Sequence, residues 1–210
     1  MELSSWLSLL AVCTAGAMSP GPSAAVIIDI SIRQGRQHGL AAAIAHGLGV
    51  GCYALMASLG LGLIITNDPL VFNSLKWLGA AFLLYLGLRA LGFKLTPSAN
   101  NHPESEPQLE SRSSSLLVSA RTGFFVAILN PKVALFFLAL FSQFIDTGAG
   151  TGERLLMAAT AMGVDILWYM LVASAVTTAS VDDRFSAYGP MLEKLFGVLI
   201  IALAIKVAAG

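Results

Sequence analysis

Apolar positions gather into six long stretches with short polar interruptions, and the stretches are too long and too uniformly apolar for strands. A helix needs about 20 apolar residues to cross a hydrocarbon core of about 30 Å. The pattern therefore predicts membrane spans over Leu3–Ile32, Gly39–Ile65, Phe72–Phe93, Leu116–Ile145, Leu155–Ala179 and Met191–Ala209. The first and fourth exceed one straight crossing at about 1.5 Å per residue. Each is interrupted by proline, at Ser19-Pro20-Gly21-Pro22 and at Asn130-Pro131, so a break or strong tilt is expected in both. Residues 96–115 hold three prolines, several serines and almost nothing apolar. Such a segment buries too little surface to fold and reads as a flexible linker. The chain thus divides into a first half (1–95), the linker (96–115) and a second half (116–210), each half with three spans.

Composition agrees with this pattern. Of 210 residues, 56% are hydrophobic and only 11% charged, against about 25% charged in an ordinary soluble domain. Mean hydropathy is +0.78. These values exclude disordered, nucleic-acid-binding and secreted disulfide-scaffold classes. Twelve basic and twelve acidic residues cancel, so no bulk field selects a charged partner. Cys13 and Cys52 lie in apolar runs and read as small buried hydrophobes. The opening Met1-Glu-Leu-Ser-Ser-Trp6 carries an acid and no base ahead of the apolar run, unlike a secretory leader.

The two halves resemble each other. Each opens with a proline-broken span, each second span carries Gly-Val (Gly49-Val50, Gly163-Val164), and each third opens with the same spacing, Lys76 to Gly79 and Lys194 to Gly197. With three spans per half, similar halves must lie upside down relative to each other. The expected fold is an all-α membrane protein of six transmembrane helices, a 3+3 inverted repeat with helices 1 and 4 broken. Seven Lys and Arg residues fall on the side of loops one, three and five, against three on the other. The positive-inside rule then places those loops and the linker in the cytoplasm and both termini outside.

Candidate chemistry concentrates at the breaks. Proline lacks an N–H and clashes with the preceding turn, so Pro20-Gly21-Pro22 should end one half-helix and start another at Ser23. Backbone freed in this way must be buried in protein or line a wet cavity, and the restarted half-helix points N–H groups and a partial positive charge at that space, suited to a carboxylate. A structural kink is the simpler alternative. In the second half, Asn130 is a good N-cap, Pro131 a good first helical residue, and Lys132 a cation at mid-membrane depth, where insertion costs about 2.5–3.5 kcal/mol. It must face water, a carbonyl or an acid such as Asp165 or Asp29. Asp165, deep in span five, is the main carboxylate candidate for carrying a proton or gripping an ammonium. Asp29 is a second, although an i,i+4 pair with Arg33 explains it equally well. His46 reads as a hydrogen-bonded structural histidine, with a proton relay as the alternative. Gly47, Gly49, Gly51, Gly60 and Gly62 read as close helix packing. No close Cys or His spacing marks a metal site, and no cofactor is indicated.

Met18-Ser-Pro-Gly-Pro22, the basic loop Arg33-Gln-Gly-Arg36-Gln-His-Gly39, and Leu129-Asn-Pro-Lys132 opening the second half together resemble the LysE/RhtB family of bacterial amino-acid exporters. The resemblance spans nearly the whole chain. It implies export of an amino acid or close derivative across the inner membrane, driven by protons. It maps the family's first motif onto Pro20, Gly21 and Pro22, its second onto Asn130, Pro131 and Lys132, and its span-five acid onto Asp165. Many members carry Pro-Gln-Phe near the end of span four, where this chain has Ser142-Gln143-Phe144. That stretch looks closest to the threonine- and homoserine-exporting branch.

The expected mechanism is alternating access. The substrate carboxylate meets Ser23, Asn130 and Lys132, its ammonium meets Asp165 or Asp29, and a proton at the acid releases it. The expected partners are a small amino acid, protons and the lipid bilayer, no nucleic acid, and a second copy in a homodimer. The rival readings are a divalent-cation exporter, whose site should be rich in oxygen or thiolate and would not welcome Lys132, a membrane-embedded enzyme, for which no catalytic cluster is found, and a scaffold without transport.

Overall fold

The computed structural model describes residues 2–19, 21–67, 69–93, 115–144 and 150–177, with ten further residues between 191 and 205. Pro20, nearly all of the expected linker, and much of the expected sixth span lie outside the described residues. Among the described residues the architecture is helical, without strands. Seven continuous helices follow one another: α1 (Leu3–Met18), α2 (Pro22–Gln34), α3 (Arg36–Asn67), α4 (Pro69–Ala90), α5 (Leu116–Ile128), α6 (Pro131–Phe144) and α7 (Thr151–Ala175).

Both expected breaks are present. The α1–α2 pair bends by 60° and the α5–α6 pair by 55°. Pro22 and Pro131 each open the second helix of a pair, where a missing N–H costs nothing. Two segments, Arg36–Gly60 and Thr151–Ala175, are long and apolar enough to cross a membrane alone, and each bent pair counted as one span brings the total to four. Within α4 the apolar stretch is shorter, Trp77–Ala90. The described residues thus account for up to four of the six expected spans.

Helix boundaries differ from expectation where polar residues were read as loop. The basic stretch Arg36-Gln-His38 is the first turn of α3, and the connection from α2 is Gly35 alone. Gly35 has φ 92°, a left-handed conformation that only glycine adopts without strain. At 32 residues α3 is about 48 Å long, well beyond a hydrocarbon core. Helix α4 ends on Gly92, also left-handed, with the Phe93 N–H bonded to the Leu88 carbonyl.

Helices α3 and α7 form the centre. Each leans on a proline-broken pair: α3 packs against α5 and α6, and α7 against α1 and α2. Between them runs a core of Leu9, Val12, Val50, Phe137, Leu140 and Met157, among others. Large apolar side chains also point outward, among them Leu129, Leu167 and Leu171, as a lipid-facing surface requires.

Small residues set how closely the helices approach. A Cβ on Gly123 of α5 would sit 2.1 Å from the Ala42 carbonyl oxygen of α3, and one on Gly47 would sit 2.2 Å from Ile166 of α7. Gly49 and Gly51 are likewise in contact, with Ala127 and Met162. Gly60 has nothing within 4 Å among the described residues, and Gly62 has no described surroundings. Gly163 also has nothing within 4 Å among the described residues, although it opens a Gly-Val pair as Gly49 does. Gly123→Ala should therefore lower the detergent melting temperature by several degrees, because backbone cannot yield as a side chain can and overpacking costs about 1–3 kcal/mol. Gly163→Ala should melt like the native chain. Equal melting of the two variants would contradict this account of the α3–α5 contact.

Candidate functional site

The second break is built around Asn130. Pro131 cannot donate a hydrogen bond, so the Ala127 carbonyl takes the Asn130 N–H instead, at 3.2 Å. The Asn130 side-chain oxygen accepts from the Lys132 N–H at 3.0 Å, a side-chain cap on α6 as expected of Asn before Pro. That cap diverts the Lys132 N–H from Ile128, and the Ile128 carbonyl is satisfied by the Tyr53 hydroxyl of α3. The Ala127 and Ile128 carbonyls and the Lys132 N–H, which the break takes out of the helical ladder, are thereby used again.

The two breaks touch. The Asn130 amide donates to the Ser23 hydroxyl at 3.1 Å, and the Lys132 ammonium donates to the Ser19 hydroxyl at 2.7 Å. Gly21 lies directly beneath Lys132: a Cβ there would come within 3.5 Å of Nζ. No side-chain cap covers the N-terminus of α2, so the positive end of its dipole faces the junction. Ser19, Ser23 and Asn130 are all buried.

A cavity of about 60 Å³ lies at this junction. Ser19, Gly21, Ser23, Asn130 and Lys132 form its polar side, and Asp165, His46 and Tyr169 border it from α7 and α3. Apolar walls come from Gly16, Val50, Phe136 and Phe137, with Cys13 beside them. A cation, a carboxylate and an uncapped helix N-terminus thus share one small enclosed space.

Of the residues singled out from sequence, Ser19, Gly21, Ser23, Asn130, Lys132 and Asp165 border this cavity, and Pro22 and Pro131 start the helices that deliver them. Pro20 lies outside the described residues. Asp29 stands apart: it is on the far side of α2, partly exposed, and receives the Arg33 guanidinium one turn on. The ion-pair alternative is the one the geometry carries, and Asp29 does not reach the cavity.

Asp165 has an unexpected partner. Its Oδ2 is 2.7 Å from His46 Nδ1, with both side chains buried. The Tyr169 ring meets the His46 ring edge-on at 4.8 Å, and Tyr169 borders the same cavity as Ser23. Tyr169 follows Asp165 by four residues and shares its helix face. That spacing was the available signal for Tyr169. His46 was singled out as a hydrogen-bonded histidine with a proton relay as the alternative, but no spacing tied it to Asp165, which lies 119 positions away along the chain.

Apolar helices whose two broken pairs meet at one cavity bordered by a cation and a carboxylate have the build of a membrane transporter. The chain belongs to the LysE type translocator family, whose family model matches residues 14–210. It is 30% identical over 214 residues to a homoserine/homoserine lactone efflux protein of Salmonella typhi, covering 98% of this chain and 96% of the relative. It is 28% identical over 196 residues to a leucine efflux protein of an Enterobacter species, covering 90% and 88%. A membrane protein of Vibrio cholerae is 25% identical over 213 residues, covering 100% and 99%. No solved structure matches the chain.

Proposed function

We propose that this protein exports a neutral amino acid of the homoserine, threonine or leucine kind across the bacterial inner membrane in exchange for protons. The observation that carries this reading is the cavity itself, with Lys132 and the uncapped α2 N-terminus at one wall and Asp165 at another. An α-amino acid presents a carboxylate and an ammonium to such a site. The carboxylate takes the Lys132 end, where the cation and the helix dipole act together, and the ammonium takes the Asp165 end. Homology to efflux proteins for leucine and homoserine supports both the substrate class and the direction.

Alternating access between two inverted three-span halves is the motion we assign to it. The reciprocal packing of α3 on α5 and α6, and of α7 on α1 and α2, supports that symmetry. In this reading the linker is cytoplasmic and both termini are outside. A divalent-cation cargo fits less well. Among the described residues no group of three or more His, Cys, Asp or Glu side chains converges on one point, and Lys132 would repel the ion.

The test is ligand-dependent melting of the purified protein. A ligand at one hundred times its dissociation constant stabilises the folded state by about 2.7 kcal/mol. Homoserine, threonine or leucine should raise the melting temperature by several degrees, and the corresponding amines without a carboxylate should not. Equal stabilisation by the amines, or none by any amino acid, would overturn the assignment.

A further inference from the structure

We propose that the driving proton binds at Nε2 of His46, with Asp165 acting as a positioning residue that holds the imidazole ready for it. This rests on the proton-antiport reading above.

The geometry leads there directly. When Asp165 is ionised its carboxylate only accepts hydrogen bonds, which makes His46 Nδ1, 2.7 Å away, the donor. A neutral imidazole carrying its hydrogen on Nδ1 has a bare lone pair on Nε2. That nitrogen is fully buried and has no hydrogen-bond partner among the described residues, on a side chain only 1% exposed. Buried polar atoms are nearly always paired. An orphaned acceptor beside a carboxylate, bordering a cavity, is a place kept for a proton.

The surroundings explain why proton and substrate exclude each other. Asp165 and Tyr169 of α7 meet His46 directly, while Cys13 from α1, Lys132 from α6 and the uncharged Ser23 from α2 border the same cavity. With Lys132 cationic and Asp165 anionic, the cavity is neutral, and it stays neutral when a zwitterionic amino acid enters. A proton on Nε2 turns the His46–Asp165 pair into an internal ion pair and gives the cavity a net positive charge. The carboxylate is then committed to the imidazolium, and the substrate ammonium loses its partner. Loss of the proton to the cytoplasm restores Asp165 for the next substrate. One proton enters for each ammonium released, and no covalent bond changes beyond N–H.

Two measurements test this. In proteoliposomes, His46→Gln should abolish pH-gradient-driven accumulation while amino-acid counterflow persists, and should flatten the pH profile of counterflow. Accumulation unchanged from the native protein would overturn the proposal while leaving antiport intact. A native protein that exchanges amino acids but ignores the gradient would overturn both. The second measurement needs no variant at this position. Nitrogen NMR of the imidazole, in a chain with His38 and His102 replaced by Gln, should show hydrogen on Nδ1 at high pH and on both nitrogens at low pH. Hydrogen on Nε2 at high pH, or no titration at all, would overturn it.

Discussion

Lys132→Ala should reduce transport about 100-fold while leaving folded protein in the membrane. Lys132 is the cation at the junction of the two breaks, donating to Ser19 at 2.7 Å beside Gly21. A hydrogen bond to a charged group is worth about 1.5–3 kcal/mol, which is about 10- to 150-fold in affinity. The loss also removes the compensation for Asp165 and leaves the substrate carboxylate with the α2 dipole alone. Folding should survive, because the Lys132 backbone N–H keeps its bond to Asn130 whatever the side chain. Lys132→Arg should retain part of the activity, since it keeps the charge but not the compact ammonium. Size-exclusion profiles beside efflux rates check both points. Normal efflux in Lys132→Ala would remove Lys132 from the site.

Asp165→Asn should abolish gradient-driven export as completely. The amide oxygen still accepts from His46 Nδ1, so the buried contact and the fold are kept, but the negative charge is gone. The ammonium then has no anion in the cavity, and protonated His46 is no longer stabilised by its partner. Asp29→Asn, by contrast, breaks an exposed pair with Arg33, and pairs of that kind contribute only about 0–1 kcal/mol. Its transport should stay within about twofold of native. Equal loss in the two aspartate variants would contradict the separation of their roles.

The parts of this site that were legible in the sequence are those written in local backbone chemistry. Proline cannot donate, so Pro22 and Pro131 announced half-helices, and Asn130 announced its cap. Lys132 was legible because a lone cation in an apolar stretch needs a reason. The pairing of His46 with Asp165 was not legible. It depends on how α3 and α7 are rotated against each other, and that is set by contacts such as Gly47 on Ile166, between residues more than a hundred positions apart. Asp29 was left open between a site role and its Arg33 pair for the same reason: the sequence does not say which face of α2 meets the cavity, and the structure shows the pair. The basic turn Arg36–His38 read as loop because it is polar, whereas a single left-handed glycine suffices to separate α2 from α3.

The most direct test uses inverted membrane vesicles containing the purified protein, an imposed proton gradient, and labelled homoserine, threonine, leucine and lysine. The account predicts gradient-dependent uptake of at least one neutral amino acid, lost in Lys132→Ala. Absence of uptake of all four, in protein shown to be folded, would contradict it.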